Sequence, residues 1–309
     1  MRSTSPLSLL ATGLLIATAS LVAACGSTSS TTTTPTTGHI SSPTMGGVSS
    51  STTPGGMATG SMPGMDMAAA VPGHGLLDSA SGFTLISAAS TVTAGHASIY
   101  RFRIVGPDRK AVTTYQLDQT KLLHFYLVRS DLTGFEHLHP TLASDGTWSV
   151  DVNPASAGTY RVYTQFIAGA ASHPTDLVLS TPLTVTGPAS ATVALPAPAA
   201  TTQVDGYDLG VKGELKAGTT SPLTISVSRG GQPVTDLQPY LDTYAHLTAF
   251  HQGDMGFAHL HPLGAVHGDT GGPTLTFAAD LTEVGQYRLF AQFQTGGVLH
   301  TAQVTVAVR

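Results

Sequence analysis

The chain contains the same unit twice, and that duplication decides what it can fold into. His124 is followed after twelve residues by His137-Leu138-His139-Pro140, and His246 after twelve by His259-Leu260-His261-Pro262. Each stretch leads on to Gly-x-Tyr-Arg (Gly158 to Arg161; Gly285 to Arg288) and then to Gln-Phe (Gln165-Phe166; Gln292-Phe293). One further His stands eight residues past each Gln: His173 and His300. The copies are offset by 122 residues as far as His261 and by 127 beyond it, the five extra residues falling in the Gly-rich stretch from Leu263 to Gly272. A tandem unit of about a hundred residues has the size of one domain, so the chain reads as two domains of one kind.

Within the first unit, residues 82–186, apolar runs are short and divided by turn residues: Phe83 to Ile86, Ala97 to Val105, Leu122 to Arg129, Phe135 to Leu142, Thr147 to Val152, Thr159 to Ile167 and Leu177 to Val185. Asp145-Gly146 is a hairpin turn signal. Abundant glycine (34) and proline (19), with only 10% charged residues, favour turns and strands over helices. About seven strands in this length predict an all-β, immunoglobulin-like sandwich; an eight-stranded barrel is the alternative. Residues 204–309 are the second such unit, and the Pro/Ala-rich residues 187–203 are the linker between them.

The N-terminal quarter has another character. A basic start, an apolar run and Val22-Ala23-Ala24-Cys25 have the form of a bacterial lipoprotein signal over residues 1–24, with Cys25, the chain's one cysteine, as the lipidated residue. An uncleaved membrane helix or a plain secretory peptide are the other readings. Residues 25–81 read as a tether, first Ser/Thr/Gly-rich and too polar to bury a core, then Met-rich. Met62, Met65 and Met67 are its dense part, and thioether sulfur is a soft ligand suited to Cu(I). The net charge of −5 and the lack of any Lys/Arg cluster argue against a nucleic-acid partner.

The histidines are the candidate site. Side chains alternate faces along a strand, so Leu123, Phe125 and Leu127 take the core face and His124 the other. Around a loop centred near residue 132, His124 falls opposite His139, with His137 two places along the same face. Imidazoles this close reach ligand bonds of about 2 Å to one metal. The expected ligands are His124, His137, His139 and the loop residue His173 in the first unit, and His246, His259, His261 and His300 in the second: one cluster per repeat. Gln165 and Gln292 read as hydrogen-bonding support for these ligands.

On these His and His-Leu-His-Pro positions the chain resembles secreted actinobacterial lipoproteins that carry one or two copies of the unit. In fold type and Met/His content it is also similar to small periplasmic copper-resistance β-sandwich proteins. That likeness implies a role in copper handling. Imidazole ligands also accept zinc, but copper leads the affinity order, and the methionines favour it. The expected function is a lipid-anchored, extracytoplasmic protein for copper sequestration or delivery, its protein partner unknown. The rival is a tandem immunoglobulin-like surface module that binds a protein or wall polymer without metal. Hydrolase motifs such as Gly-x-Ser-x-Gly and His-Glu-x-x-His are missing, so no enzyme is expected.

Overall fold

Alternation of apolar and polar side chains turns nearly every run marked out above into a strand. The computed structural model describes residues 75–170 and 172–309. The signal, Cys25 and the methionines Met62, Met65 and Met67 lie outside these described residues.

In the first repeat the strands are β1 (Ser79–Ala80), β2 (Phe83–Ser87), β3 (Thr91–Thr93), β4 (Ser98–Val105), β5 (Tyr115–Gln116), β6 (His124–Arg129), β7 (Glu136–Leu138), β8 (Thr141–Leu142), β9 (Thr147–Val152), β10 (Gly158–Ala168) and β11 (Thr175–Thr186). The second repeat supplies β12 (Thr201–Val204), β13 (Tyr207–Lys212), β14 (Ser221–Arg229), β15 (Gln232–Pro233), β16 (His246–His251), β17 (Phe257–Pro262), β18 (Thr274–Ala279), β19 (Gly285–Thr295) and β20 (Val298–Val308).

The first repeat is a two-layer sandwich. One sheet has the order β1-β2-β4-β9-β8, the other β3-β11-β10-β6-β7 with β5 at the end of β10. β4 shows why: Tyr100, Phe102 and Ile104 are buried between the layers, while Ile99, Arg101 and Arg103 face outward. Facing them from the second layer are Phe125, Leu127 and Val162, and Trp148 stacks on Phe102 at 6.3 Å. The immunoglobulin-like, all-β class is what the structure has.

The His-Leu-His-Pro segment is the crossover between layers. β7 pairs with β6, the chain passes through His139 and Pro140, and β8 joins β9 in the opposite sheet. Proline has no N–H to continue a ladder, which suits a strand leaving its sheet. In the second repeat the crossing is unbroken. Phe257 to Leu260 pair with β16, His261 and Pro262 pair with β18, and the two layers become one continuous sheet, β12-β13-β14-β18-β17-β16-β19-β20.

β6 is buried at every position. One face fills the first repeat's core; the other packs against the second repeat. Tyr126, Val128, Leu132 and Tyr163 from the first meet Phe250, Phe257 and Phe290 from the second in an apolar cluster of their own. Phe135 stacks flat on Phe290 at 4.0 Å and 11°, and Tyr163 packs on Phe257 at 5.6 Å. Each such pair contributes about 0.5–1.5 kcal/mol beyond its buried area. The two repeats are therefore fixed together by an aromatic interface. The linker is fixed too. Arg129 donates to the carbonyls of Ser190 and Ala191 at 3.0 Å each, Asp131 accepts from the backbone N–H of Val193 at 2.9 Å, and Leu195 packs on the interface cluster.

Candidate metal centre

The register of each hairpin places its histidines. β6 and β7 pair Phe125 with Leu138, Tyr126 with His137 and Leu127 with Glu136. One step further along, His124 stands opposite His139. β16 and β17 repeat this, with Leu247 opposite Leu260 and Thr248 opposite His259, before His261 crosses to pair with Ala278 of β18. Because period two puts Phe125 and Leu247 in the cores, His124, His137, His246 and His259 all emerge on the faces that the two repeats press together.

The result is one shared group, not one cluster per repeat. The rings of His124 and His246 stack across the interface at 5.7 Å and 12°. His137 stacks on His246 at 4.6 Å, and His246 contacts His259 at 4.5 Å. His139 lies edge-on to His124 at 5.1 Å and to His137 at 4.8 Å. His124, His137 and His246 are buried, and one nitrogen from each lies within 4.8 Å of the other two. The expectation of separate clusters fails because it treated the histidine-bearing face as open, whereas the other repeat covers it.

Two of the expected ligands are elsewhere. His173 is exposed in the loop between β10 and β11, its Nδ1 3.0 Å from Ser172 Oγ. His300 pairs with Phe293 on β19 and so takes the inner face of the second sandwich, the reverse of Gln292 and Thr301. There it packs on Tyr207 and Phe293, with Nδ1 2.8 Å from Asp205 and Nε2 3.1 Å from Thr295 Oγ1. His261 is exposed, its ring tilted 31° to that of His259 at 5.0 Å.

The interface has an internal two-fold relation. His137 of the first repeat donates from Nδ1 to Gln292 Oε1 of the second at 2.6 Å, while Gln165 of the first donates from Nε2 to His259 Nδ1 of the second at 2.9 Å. Each repeat supplies the amide that the other's imidazole uses. The aromatic pairs follow suit, since Phe135 matches Phe257 and Phe290 matches Tyr163 in the two offsets. Such reciprocity is the mark of an isologous interface.

The hydrogen bonds also assign protons. His124 Nε2 sits 3.1 Å from the Asp118 carbonyl, which only accepts, so that nitrogen carries the ring proton. His137 carries its proton on Nδ1, toward Gln292 Oε1. A neutral ring has one N–H, so His124 Nδ1 and His137 Nε2, 3.1 Å apart, meet as two lone pairs. A cation about 2 Å from each nitrogen would set them roughly this far apart. Without one, the contact is relieved by turning the Gln292 amide over, so that His137 donates to His124. Thr301 Oγ1, 3.3 Å from Gln292 Nε2, bonds to either end of that amide. His246 donates from Nδ1 to Gln119 Oε1 at 2.8 Å, which leaves its Nε2 to accept from the Tyr126 hydroxyl at 3.2 Å.

Charge is disfavoured throughout. Burial, ahead of the Asp118 hydrogen bond and the Lys121 charge, pushes His124 down to about 4. Burial, reinforced by His124 and Lys121, takes His139 down to about 3. His137, His246 and His259 are held well below the ordinary imidazole range by burial first and then by their neighbouring rings. These are neutral imidazoles, the form that a metal binds. His139 Nε2 is buried and has no hydrogen-bond partner among the described residues.

Sequence reasoning missed Gln119 and Asp118. Gln119 lies with Thr120 in a turn where both residues have positive φ, 43° and 70°. Non-glycine residues rarely occupy that region, and the conformation carries the Gln119 amide to His246 and to within 3.3 Å of His259 Nε2. The matched turn holds Leu241 and Asp242, also at positive φ. With a leucine at the matched place, no repeated polar residue marks Gln119 in the sequence.

A family model described as a domain of unknown function, DUF8832, matches residues 78–182 and again 202–309. No curated protein matches the chain in sequence. Among solved structures it is similar to the Escherichia coli adhesin FdeC, at 17% identity and a TM-score of 0.26, over 75% of this chain and 65% of that one. InvD of Yersinia pseudotuberculosis is similar at 14% and 0.23, over 75% and 59%. The chain thus spans less than two thirds of either. The D0-D1 domain of Intimin follows at 12% and 0.19, over 72% and 97%. Likeness at this level carries nothing about activity or partner.

Proposed function

We propose that this chain, which belongs to the DUF8832 family and carries two copies of its domain, holds one transition-metal ion between those copies. The observation behind the reading is the buried triad of His124, His137 and His246, with one nitrogen of each within 4.8 Å of the others. Ligands from both repeats, neutral at physiological pH, supply a set suited to a borderline-soft divalent ion. Copper is our assignment, because it leads the affinity order for nitrogen sites and because Met62, Met65 and Met67 add soft donors to the same chain; zinc is the other candidate. A lipid anchor at Cys25 would put this function on the outer face of a membrane, as sequestration or delivery rather than catalysis.

Equilibrium dialysis of the chain against Cu(II) and Zn(II) tests this. The expected result is one ion per chain, lost in His137→Ala of the first repeat and equally in His246→Ala of the second. Two ions per chain, or a stoichiometry indifferent to either substitution, would overturn the shared site.

A second reading follows from the fold. Two immunoglobulin-like sandwiches in tandem, with the outer sheet of the first presenting Ile86 and Ile99 beside Arg101 and Arg103, form a surface that a protein or wall polymer can bind without metal. Dialysis that finds no bound ion favours that reading.

A further inference from the structure

The triad is sealed inside the interface, so an ion needs a way to it. The histidines outside the triad lie in a row that leads there. His261 is exposed on the crossover strand β17; its ring centroid is 5.0 Å from that of His259. His259 is 4.5 Å from His246, and His246 is 4.6 Å from His137. No step in the row exceeds 5.0 Å. Strand geometry produces it: β17 brings His259 out beside the interface and His261 two residues further along the same face, at the point where the strand leaves one sheet for the other.

We infer that His261 and His259 form an outer loading site, which takes a divalent ion from solution and passes it through His246 to the triad. This rests on the reading of the triad as a metal site and gives that site its route. The geometry fits handover between adjacent ligands. A metal binds imidazole through a nitrogen in the ring plane, so each transfer passes from a nitrogen of one ring to a nitrogen of its neighbour, and His259 takes part by releasing the amides of Gln165 and Gln119 that its two nitrogens meet. The first repeat offers a less exposed end. His139, the counterpart of His261, is half-buried, and its Nε2 is enclosed without a partner. It closes the row at the far end. His261 is the more exposed end of the row, and loading and release both run through it.

The route governs rate, whereas the triad governs affinity, and this separates the two ideas experimentally. Stopped-flow uptake of Cu(II) by the chain, and its removal by an excess of chelator, are measured for the unmodified protein, His261→Ala and His96→Ala. His96 is exposed in a turn of the first repeat, away from the row. The expected result is that His261→Ala slows uptake and removal together by about tenfold, within the range over which single changes alter association rates. Its stoichiometry and equilibrium affinity should match the unmodified chain, and His96→Ala should change nothing. Equal rates in His261→Ala and the unmodified chain would overturn the route while leaving the triad intact, as would equal slowing in His96→Ala. A loss of the bound ion in His261→Ala would make it a ligand of the final site and also overturn the route. If the unmodified chain takes up no ion, both the triad and the route fail.

Discussion

Acid should loosen this protein at the face between its repeats, by an amount that can be worked out. His124 is pushed down to about 4 in the folded chain by burial, against about 6.5 in an unfolded one. A group whose folded pKa is lower binds more protons when unfolded, so stability is fully present above pH 6.5 and falls as pH drops toward 4. Between pH 7.5 and pH 5.0 the linkage relation gives a loss of about 2 kcal/mol from His124 alone. His137 and His246 are also buried and shifted the same way, so they add to the loss in the same direction. The His124 part alone is an appreciable share of the roughly 5–15 kcal/mol that ordinarily holds a domain folded. With a urea dependence of about 3 kcal/mol/M, His124 alone should lower the midpoint by about 0.7 M. The assay is urea unfolding with chelator present at both pH values, followed by circular dichroism and by fluorescence of Trp148, the single tryptophan. His137→Gln, which removes one titrating ring, should reduce the drop. Midpoints that agree at the two pH values would refute the placement of these rings in a buried, neutral cluster.

Two further outcomes test the interface. Phe290→Ala removes the partner of Phe135 and the centre of the aromatic cluster; it should cost about 3–5 kcal/mol by thermal melting, and a loss below 1 kcal/mol would mean that the repeats are not packed as described. Gln292→Leu leaves His137 Nδ1 buried without its hydrogen-bond partner, for about 1–3 kcal/mol. Gln165→Leu, its counterpart against His259, should cost a similar amount, and a large inequality between the two would count against the internal two-fold.

Much of the local structure was legible in the sequence. Period two in the His124 strand and the loop near residue 132 correctly put His124 opposite His139, and the two offsets marked the repeated unit. The partner of each face was harder to read. The expectation of an open, histidine-bearing surface ignored Tyr126 and Val128, which make the second face of β6 apolar as well. A strand apolar on both faces is one covered on both, and Phe250 and Phe290 carry the same signal in the other copy. His300 was misplaced because its distance from Gln292 was counted without its face. One residue separates it from Thr301, and one residue in a strand reverses the side.

The crossed amides have a consequence for how such a protein works when sparse. Were the halves separate molecules, the shared centre would come apart on dilution, and its occupancy would track protein abundance. Tying them through one backbone makes their meeting an internal event, at an effective concentration fixed by the strap from Gly187 to Ala200 rather than by the number of molecules present. A solitary copy of the chain can thus assemble the whole centre.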